Sequence, residues 1–391
     1  MTRPPPDKQR IRDRLEELRP ELVALAEYIH ANPETGFAEH KAVQAVADFA
    51  ARHGFEVSRN VAGLATALHA RAGTGPLSIG FCAEYDALPE LGHACGHNLI
   101  AAIAAGAAAA LLPLADAAGI SVHLFGTPAE EVLDGGGKIL MFEAGVFDGL
   151  HALLMAHPAP LDAAAPAMSA GVAFRFRYSA APGHAFSNSS EAAKVHDAML
   201  IAETAAALLD RRLGYGATVR GARTLVPGSA NVVRECMEAH YAARAPDARS
   251  LLDVSEALRA CFEAGAVATG ATLEVIGGSR PYAEMHQDPE LARLYRSNAE
   301  SLGRTFEDRP PPLAITTDLG NVSLVVPALH PFVRLDSHGS ANHDRPFASY
   351  CTGPAAEACL MDAALALAWT ALDFAVRPGE SRHREHERST A

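Results

Sequence analysis

Residues Leu99–Leu114 are the longest apolar run in the chain, sixteen positions dominated by alanine and including Pro113. The run is too short and too weakly hydrophobic to span a bilayer, which needs about 20 strongly apolar residues. A helix that is apolar on every side has to be covered on every side. The run therefore predicts a buried helix, starting near Asn98, with other layers packed around it. Apolar residues make up 49% of the 391 positions, enough material for that cover.

What surrounds the run sets the fold class. A strand is expected at Leu77–Ala83, directly before it, with others at Val122–Gly126, Ala152–Ala156 and Val322–Val326. Ile11, Leu15, Leu18, Leu22, Leu25 and Ile29 repeat at three- and four-residue spacing, one stripe of an amphipathic helix that ends near Asn32-Pro33. Strands alternating with helices imply an α/β layer with a mixed, mostly parallel sheet flanked by helices.

The texture changes near Ala167. Val172, Phe174, Phe176 and Tyr178 alternate at period two, a polar helix follows over Glu191–Arg212, and strand-like pieces lie at Asn231–Ala243 and Ala271–Ile276. This middle section reads as a separate small α+β domain. After about Asp288 the helix-rich α/β texture returns. The expected division is a discontinuous domain of residues 1–166 and 286–377, with residues 167–285 inserted, and a charged, disordered tail over 378–391.

Charge narrows the partners. Asp and Glu total 46 against 33 Lys and Arg, a net charge of −13. Nucleic acid is excluded because phosphate binding needs a basic face, and a membrane partner is disfavoured as well. The first residues lack an apolar signal region, and the six cysteines are scattered through a large chain, so a reduced cytoplasmic setting is expected.

Chemistry concentrates in four places. Residues 83–98 read AEYDALPELGHACGHN and pack Glu84, Asp86, His93, Cys95 and His97 between a strand and a helix. Cys and His are the borderline-soft ligands that Zn²⁺ and similar ions prefer. Gly92 and Gly96 allow the backbone to bend so that alternate side chains converge. Residues 127–137 read TPAEEVLDGGG, placing Glu130 beside Glu131 after an apolar strand. Two adjacent carboxylates can divide labour, one holding a metal and one acting as general base. His157-Pro158 follows a third strand, and Asn342-His343 lies in a Gly/Ser-rich loop. Sites in α/β sheets form at the carboxyl ends of strands, so this coincidence points to a divalent metal site.

Six ordered stretches carry a resemblance: HANPETGFAEH (30–40), CAEYDALPELGHACGHNLIA (82–101), GTPAEEVLDGGGKI (126–139), LMAHPAP (154–160), TTDLGNVSLVVPALHP (316–331) and NHDRPF (342–347). With these the chain resembles the aminoacylase and zinc-carboxypeptidase superfamily of metallopeptidases. The similarity is to the amidohydrolase branch of β-alanyl-lysine dipeptidase, p-aminobenzoyl-glutamate hydrolase and plant auxin-conjugate amidohydrolases. The resemblance implies Cys95, His97, Glu131, His157 and His343 as ligands of one or two divalent ions, zinc or else manganese or cobalt. It implies Glu130 as the base that activates water and Asp86 as a residue orienting the ligand loop. The inserted domain resembles a lid and dimerisation domain, implying a homodimer. There His184 matches a histidine that polarises the scissile carbonyl, Asn231 a residue near substrate, and Arg244 an arginine that holds the substrate carboxylate.

The lid departs from its relatives. Ala180-Ala181-Pro182 precedes His184 where a Gly-Lys pair is usual, Ala192-Ala193-Lys194 replaces a Gly-x-Asn pattern, and Arg234 replaces a proline. His151 stands where an aspartate is common. The resemblance implies metal-assisted hydrolysis of the amide of a dipeptide or N-acyl amino acid with a free carboxylate. A metal-dependent deaminase, releasing ammonia from an amine, is the alternative on the same scaffold.

Overall fold

A computed structural model describes residues 5–181, 189–224, 235–307 and 315–376. His184, Asn231, Arg234 and the tail from Pro378 lie outside these residues. The chain begins with α1 (Pro6–Ala31) and α2 (His40–Arg52). The six stripe residues Ile11 to Ile29 are all buried, so α1 lays its apolar face on the interior. Then come β1 (Glu56–Arg59), β2 (Leu68–Ala72), β3 (Leu77–Ala83), α3 (His97–Ala115), β4 (Ile120–Gly126), α4 (Gly137–Glu143), β5 (Ala152–Leu154) and β6 (His157–Ala159).

The alanine-rich run is the middle of α3, and every residue from His97 to Leu111 is buried. Small side chains make this possible, since neighbouring layers can approach the helix closely. At Gly106 a Cβ would lie 2.8 Å from Leu22 Cδ1, so α1 presses almost onto the α3 backbone.

The middle section forms its own layers: β7 (Ala170–Ser179), α5 (Ser189–Arg212), β8 (Thr218–Arg223), β9 (Cys236–Ala245), α6 (Ala248–Thr269) and β10 (Thr272–Gly277). Its antiparallel sheet has the order β10-β7-β9-β8. Phe174, Phe176, Tyr178 and Phe262 are in the core shared by the sheet and the two helices. The period-two rule holds along β7: Val172, Phe174, Phe176 and Tyr178 face that core, while Ala173, Arg175 and Arg177 are on the other face.

The last section adds α7 (Pro289–Ser301), α8 (Leu319–Ser323), β11 (Ala328–Leu329), β12 (Phe332–Arg334), α9 (Phe347–Tyr350) and α10 (Pro354–Ala375). β11 pairs in parallel with β5 and completes a six-stranded sheet of order β1-β2-β4-β3-β5-β11. Within it β4, β3, β5 and β11 run parallel, while β2 runs antiparallel to both of its neighbours, β4 and β1. A strand begun before the middle section and one that follows it thus share one sheet.

One expected strand is corrected. Residues 322–326 are not extended; they finish α8 and the turn after it. Leu319, Val322 and Val326 are buried while Leu324 and Val325 are exposed, which is helical spacing. A short apolar run does not reveal its period until its partners are known. Both α3 and α10 are long and apolar enough to cross a membrane, yet 89% and 72% of their apolar windows are buried within the protein.

Candidate metal centre

β3, β4 and β5 run parallel, so their carboxyl ends open on one edge of the sheet. The three ligand-bearing segments leave from that edge. After β3 come Glu84 and Asp86, then a loop that enters α3 at His97. After β4, Ala129 adopts a left-handed conformation and Glu130–Val132 form one 3-10 turn. After β5, His157 begins β6, which pairs with β12.

Gly96 brings the first and third segments together. It has φ +89°, and a Cβ there would lie 2.5 Å from Pro158 Cγ. Only glycine allows both this conformation and this approach. As a result Cys95 Sγ lies 3.3 Å from His157 Nε2. His343 comes from a late loop, anchored where its backbone N–H donates to Ala94 O at 2.9 Å. Its Nε2 is 3.2 Å from Glu131 Oε1. Asn342 Nδ2 donates to the carbonyls of both Cys95 and Pro158, at 3.1 and 3.0 Å.

The ligand atoms of Cys95, His97 and His157 lie within 4.8 Å of one another, as do those of Cys95, Glu131 and His343, and those of His97, Glu130 and Glu131. All five expected ligands therefore meet, with Cys95 common to the first two groups. The set fits a divalent cation. His97 Nε2 is buried without a hydrogen-bond partner, although Glu84, Glu130 and Glu131 place carboxylate oxygens 3.6 to 3.9 Å away. Soft thiolate and imidazole beside hard carboxylate is a zinc-like donor set.

Asp86 ties two of the loops together. Its Oδ1 accepts from His97 Nδ1 at 2.8 Å and its Oδ2 from the Glu131 backbone N–H at 3.0 Å. The first bond fixes the His97 tautomer with Nε2 facing the ligands. The two adjacent glutamates are driven apart electrostatically. Burial, then Glu84 and Glu131, push Glu130 well above the usual carboxylate range. Burial would raise Glu131 too, but the His343 hydrogen bond and charge outweigh it and hold its pKa low. Burial, and then His97, lower His157 to about 4, so it is a neutral imidazole at neutral pH.

Behind these groups lies a cluster to which sequence reasoning assigned no role. Lys138 is fully buried, and its Nζ lies 2.5 Å from both Glu84 Oε1 and Asp318 Oδ1. Asp318 Oδ2 also accepts from the Lys138 backbone N–H at 2.9 Å. Tyr282 Oη donates to Glu130 O at 2.7 Å and accepts from Leu133 N at 3.2 Å, pinning the turn that carries both glutamates. Lys138 and Asp318 stand inside the resemblance-bearing stretches, and a charge amid apolar neighbours, as in GKILMF, was the available signal. Arg244 is half-buried on β9, near enough to feel the charges of Glu130 and Glu131. His151, in the position where an aspartate is common, accepts from Ser78 N through Nδ1 at 3.1 Å.

The sequence pattern of peptidase family M20/M25/M40 matches residues 80–364, which include all of these groups. The chain belongs to that family. Like other M20 peptidases it is a metal-dependent hydrolase of amide bonds. An Xaa-Arg dipeptidase of Mus musculus is 34% identical over 393 residues, covering 95% of this chain and 89% of that protein. One of the subunits of the p-aminobenzoyl-glutamate hydrolase of Escherichia coli is 30% identical over 285 residues, covering 68% of this chain and 59% of that protein. Among solved structures, a dinuclear metal-binding M20 peptidase from Bacillus subtilis superposes with a TM-score of 0.66 at 21% identity, over 92% of this chain and 99% of that one. An aminobenzoyl-glutamate utilization protein from Klebsiella pneumoniae gives 0.72 at 19% identity, over 93% and 98%. At that identity the superpositions establish the shared fold.

Proposed function

We propose that this M20 enzyme hydrolyses the amide of a dipeptide or N-acyl amino acid that carries a free carboxylate. Cys95, His97, Glu131, His157 and His343 would hold one or two divalent ions, with zinc the first choice and manganese or cobalt the alternatives. The observation that carries the reading is Glu130 beside Glu131 on one turn, each with a carboxylate oxygen 3.9 Å from His97 Nε2. Placed together in this way, one carboxylate can hold a cation while its neighbour exchanges protons with water.

A divalent ion held by these residues would supply Lewis acidity toward water and a carbonyl oxygen. Glu130 takes a proton from the attacking water and returns it to the leaving amine, so one amide and one water yield one carboxylic acid and one amine. Tyr282 and Asp86 hold the turn on which Glu130 sits. Arg244 offers a planar fork to the substrate carboxylate, and its guanidinium stays charged even when half-buried. His184 and Asn231 are assigned to the carbonyl oxygen and the substrate from the lid. The working assembly is a homodimer and the setting cytoplasmic.

Glu130→Gln tests the reading. Its metal content should stay near wild type, while turnover of an N-acyl amino acid and dipeptide panel falls at least about 100-fold. Wild-type rates in this variant would remove Glu130 from its role. Release of ammonia in place of a new carboxylate and amine would make the enzyme a deaminase.

A further inference from the structure

The stretch HANPETGFAEH (30–40) holds none of the candidate ligands, yet it packs against the turn that carries Glu130 and Glu131. A Cβ on Gly36 would lie 3.0 Å from Ala129 Cβ and 3.1 Å from Val132 Cγ1. Glu34 O accepts from the Ala87 backbone N–H at 2.8 Å, one residue beyond Asp86. The Glu34 carboxylate also accepts from the backbone N–H groups of Lys41 and Ala42, which roots the stretch in the first turn of α2.

The glutamate turn needs such support. Two non-glycine residues in the left-handed region bound it, Ala129 at φ 57° and Leu133 at φ 56°. Conformations of this kind persist only where their surroundings hold them. Three side chains do so, each through one backbone N–H. Tyr282 Oη accepts from Leu133 at 3.2 Å, Asp86 Oδ2 from Glu131 at 3.0 Å, and Glu39 Oε1 from Ala129 at 2.8 Å.

Glu39 is the member of the three with no part in the chemistry described so far. It is fully buried, and its Oε2 has no hydrogen-bond partner. Burial, with a smaller push from Asp86, raises its carboxyl to about 7. A carboxyl group is costly in such a place, and the hydrogen bond it makes from there is to the residue directly before Glu130.

We propose that Glu39 is a positioning residue for hydrolysis: its carboxyl group holds the Ala129 peptide and so sets the direction in which Glu130 leaves the turn. Asp86 does the same for Glu131. The inference rests on the hydrolase reading and divides the turn between two clamps, one serving the base and one the cation-holding carboxylate.

Two substitutions make the test. Glu39→Leu keeps the volume and removes the acceptor, whereas Glu39→Gln keeps both. In the metal-loaded enzyme, acting on N-acyl amino acids and dipeptides, Glu39→Leu should lower kcat about 10- to 100-fold with KM little changed. Glu39→Gln should retain most of kcat. Metal affinity of Glu39→Leu, measured by chelator competition, should stay near wild type, in contrast to Asp86→Asn. Hydrogen exchange read by mass spectrometry reports the hold without any substrate: residues 127–133 should exchange faster in Glu39→Leu, while α3 stays protected. Wild-type kcat or unchanged exchange in Glu39→Leu overturns the proposal, as does a Glu39→Gln variant no better than Glu39→Leu. Loss of metal affinity in step with kcat, or faster exchange throughout α3, also overturns it, because Glu39 would then be a general prop of the fold. If the wild-type enzyme cleaves none of these substrates, the hydrolase reading falls, and exchange at residues 127–133 still decides whether Glu39 holds the turn.

Discussion

Asp86 and His97 form a buried pair in which the carboxylate accepts from Nδ1 at 2.8 Å, and the other carboxylate oxygen accepts from the Glu131 backbone. One side chain thus orients candidate ligands from two strand ends.

Asp86→Asn should therefore weaken the centre without touching a ligand. The amide can no longer accept at both positions, so His97 loses its fixed tautomer or Glu131 loses its anchor. Metal affinity, measured by competition with a chromophoric chelator, should fall about 10- to 100-fold. Unchanged affinity would show that the pair is dispensable.

Lys138→Met removes the counter-charge of two buried carboxylates, Glu84 and Asp318. Leaving a buried charge without its partner costs about 3–5 kcal/mol, readable in denaturant unfolding. Adding Asp318→Asn should recover part of the loss, because the two sites are in contact and couple. Strict additivity of the two substitutions would argue against one ion cluster.

Gly96→Ala places a Cβ 2.5 Å from Pro158 Cγ at φ +89°. A non-glycine residue in such a conformation costs of order 1–3 kcal/mol, and the steric contact pushes the Cys95 and His157 loops apart. Lower thermal stability together with weaker metal binding is expected. Loss of stability alone would confine Gly96 to a structural role.

Acid should destabilise the fold through histidines remote from the metal. His123 is held at about 4 by burial, then by His69 and Arg71, while burial and Arg71 also lower His69. His69 Nε2 lies 2.9 Å from His123 Nδ1, and Ser121 Oγ lies 3.2 Å from His123 Nε2. The unfolded chain binds protons near pH 6.5 where the folded one does not, so stability is full above that pH and declines as pH falls toward 4. His123→Gln should flatten this part of the pH–stability curve. An identical acid limb in the variant would assign the effect to other groups.

Much of the candidate centre is legible in the sequence because most of its candidate ligands follow strands that can be recognised locally. Cys95 and His97 announce themselves by spacing, and Glu130 with Glu131 by adjacency. His157 and His343 carry no local signal; only their order along the chain, and the resemblance, single them out. Residues 322–326 escape such a reading because an apolar run of that length fits a strand or a helix until Leu319, Val322 and Val326 find their partners.

Local sequence is enough to specify the buried alanine-rich helix, the alternation of strands and helices, and which side chains could bind a metal. Periodicity and composition act over a few residues, and these properties are local. Tertiary assembly alone brings Lys138 to Glu84 and Asp318 and fits Pro158 against Gly96. Those relations join residues tens to hundreds of positions apart. They depend on parallel strands presenting their ends on one edge, a geometry that exists only after the sheet has assembled.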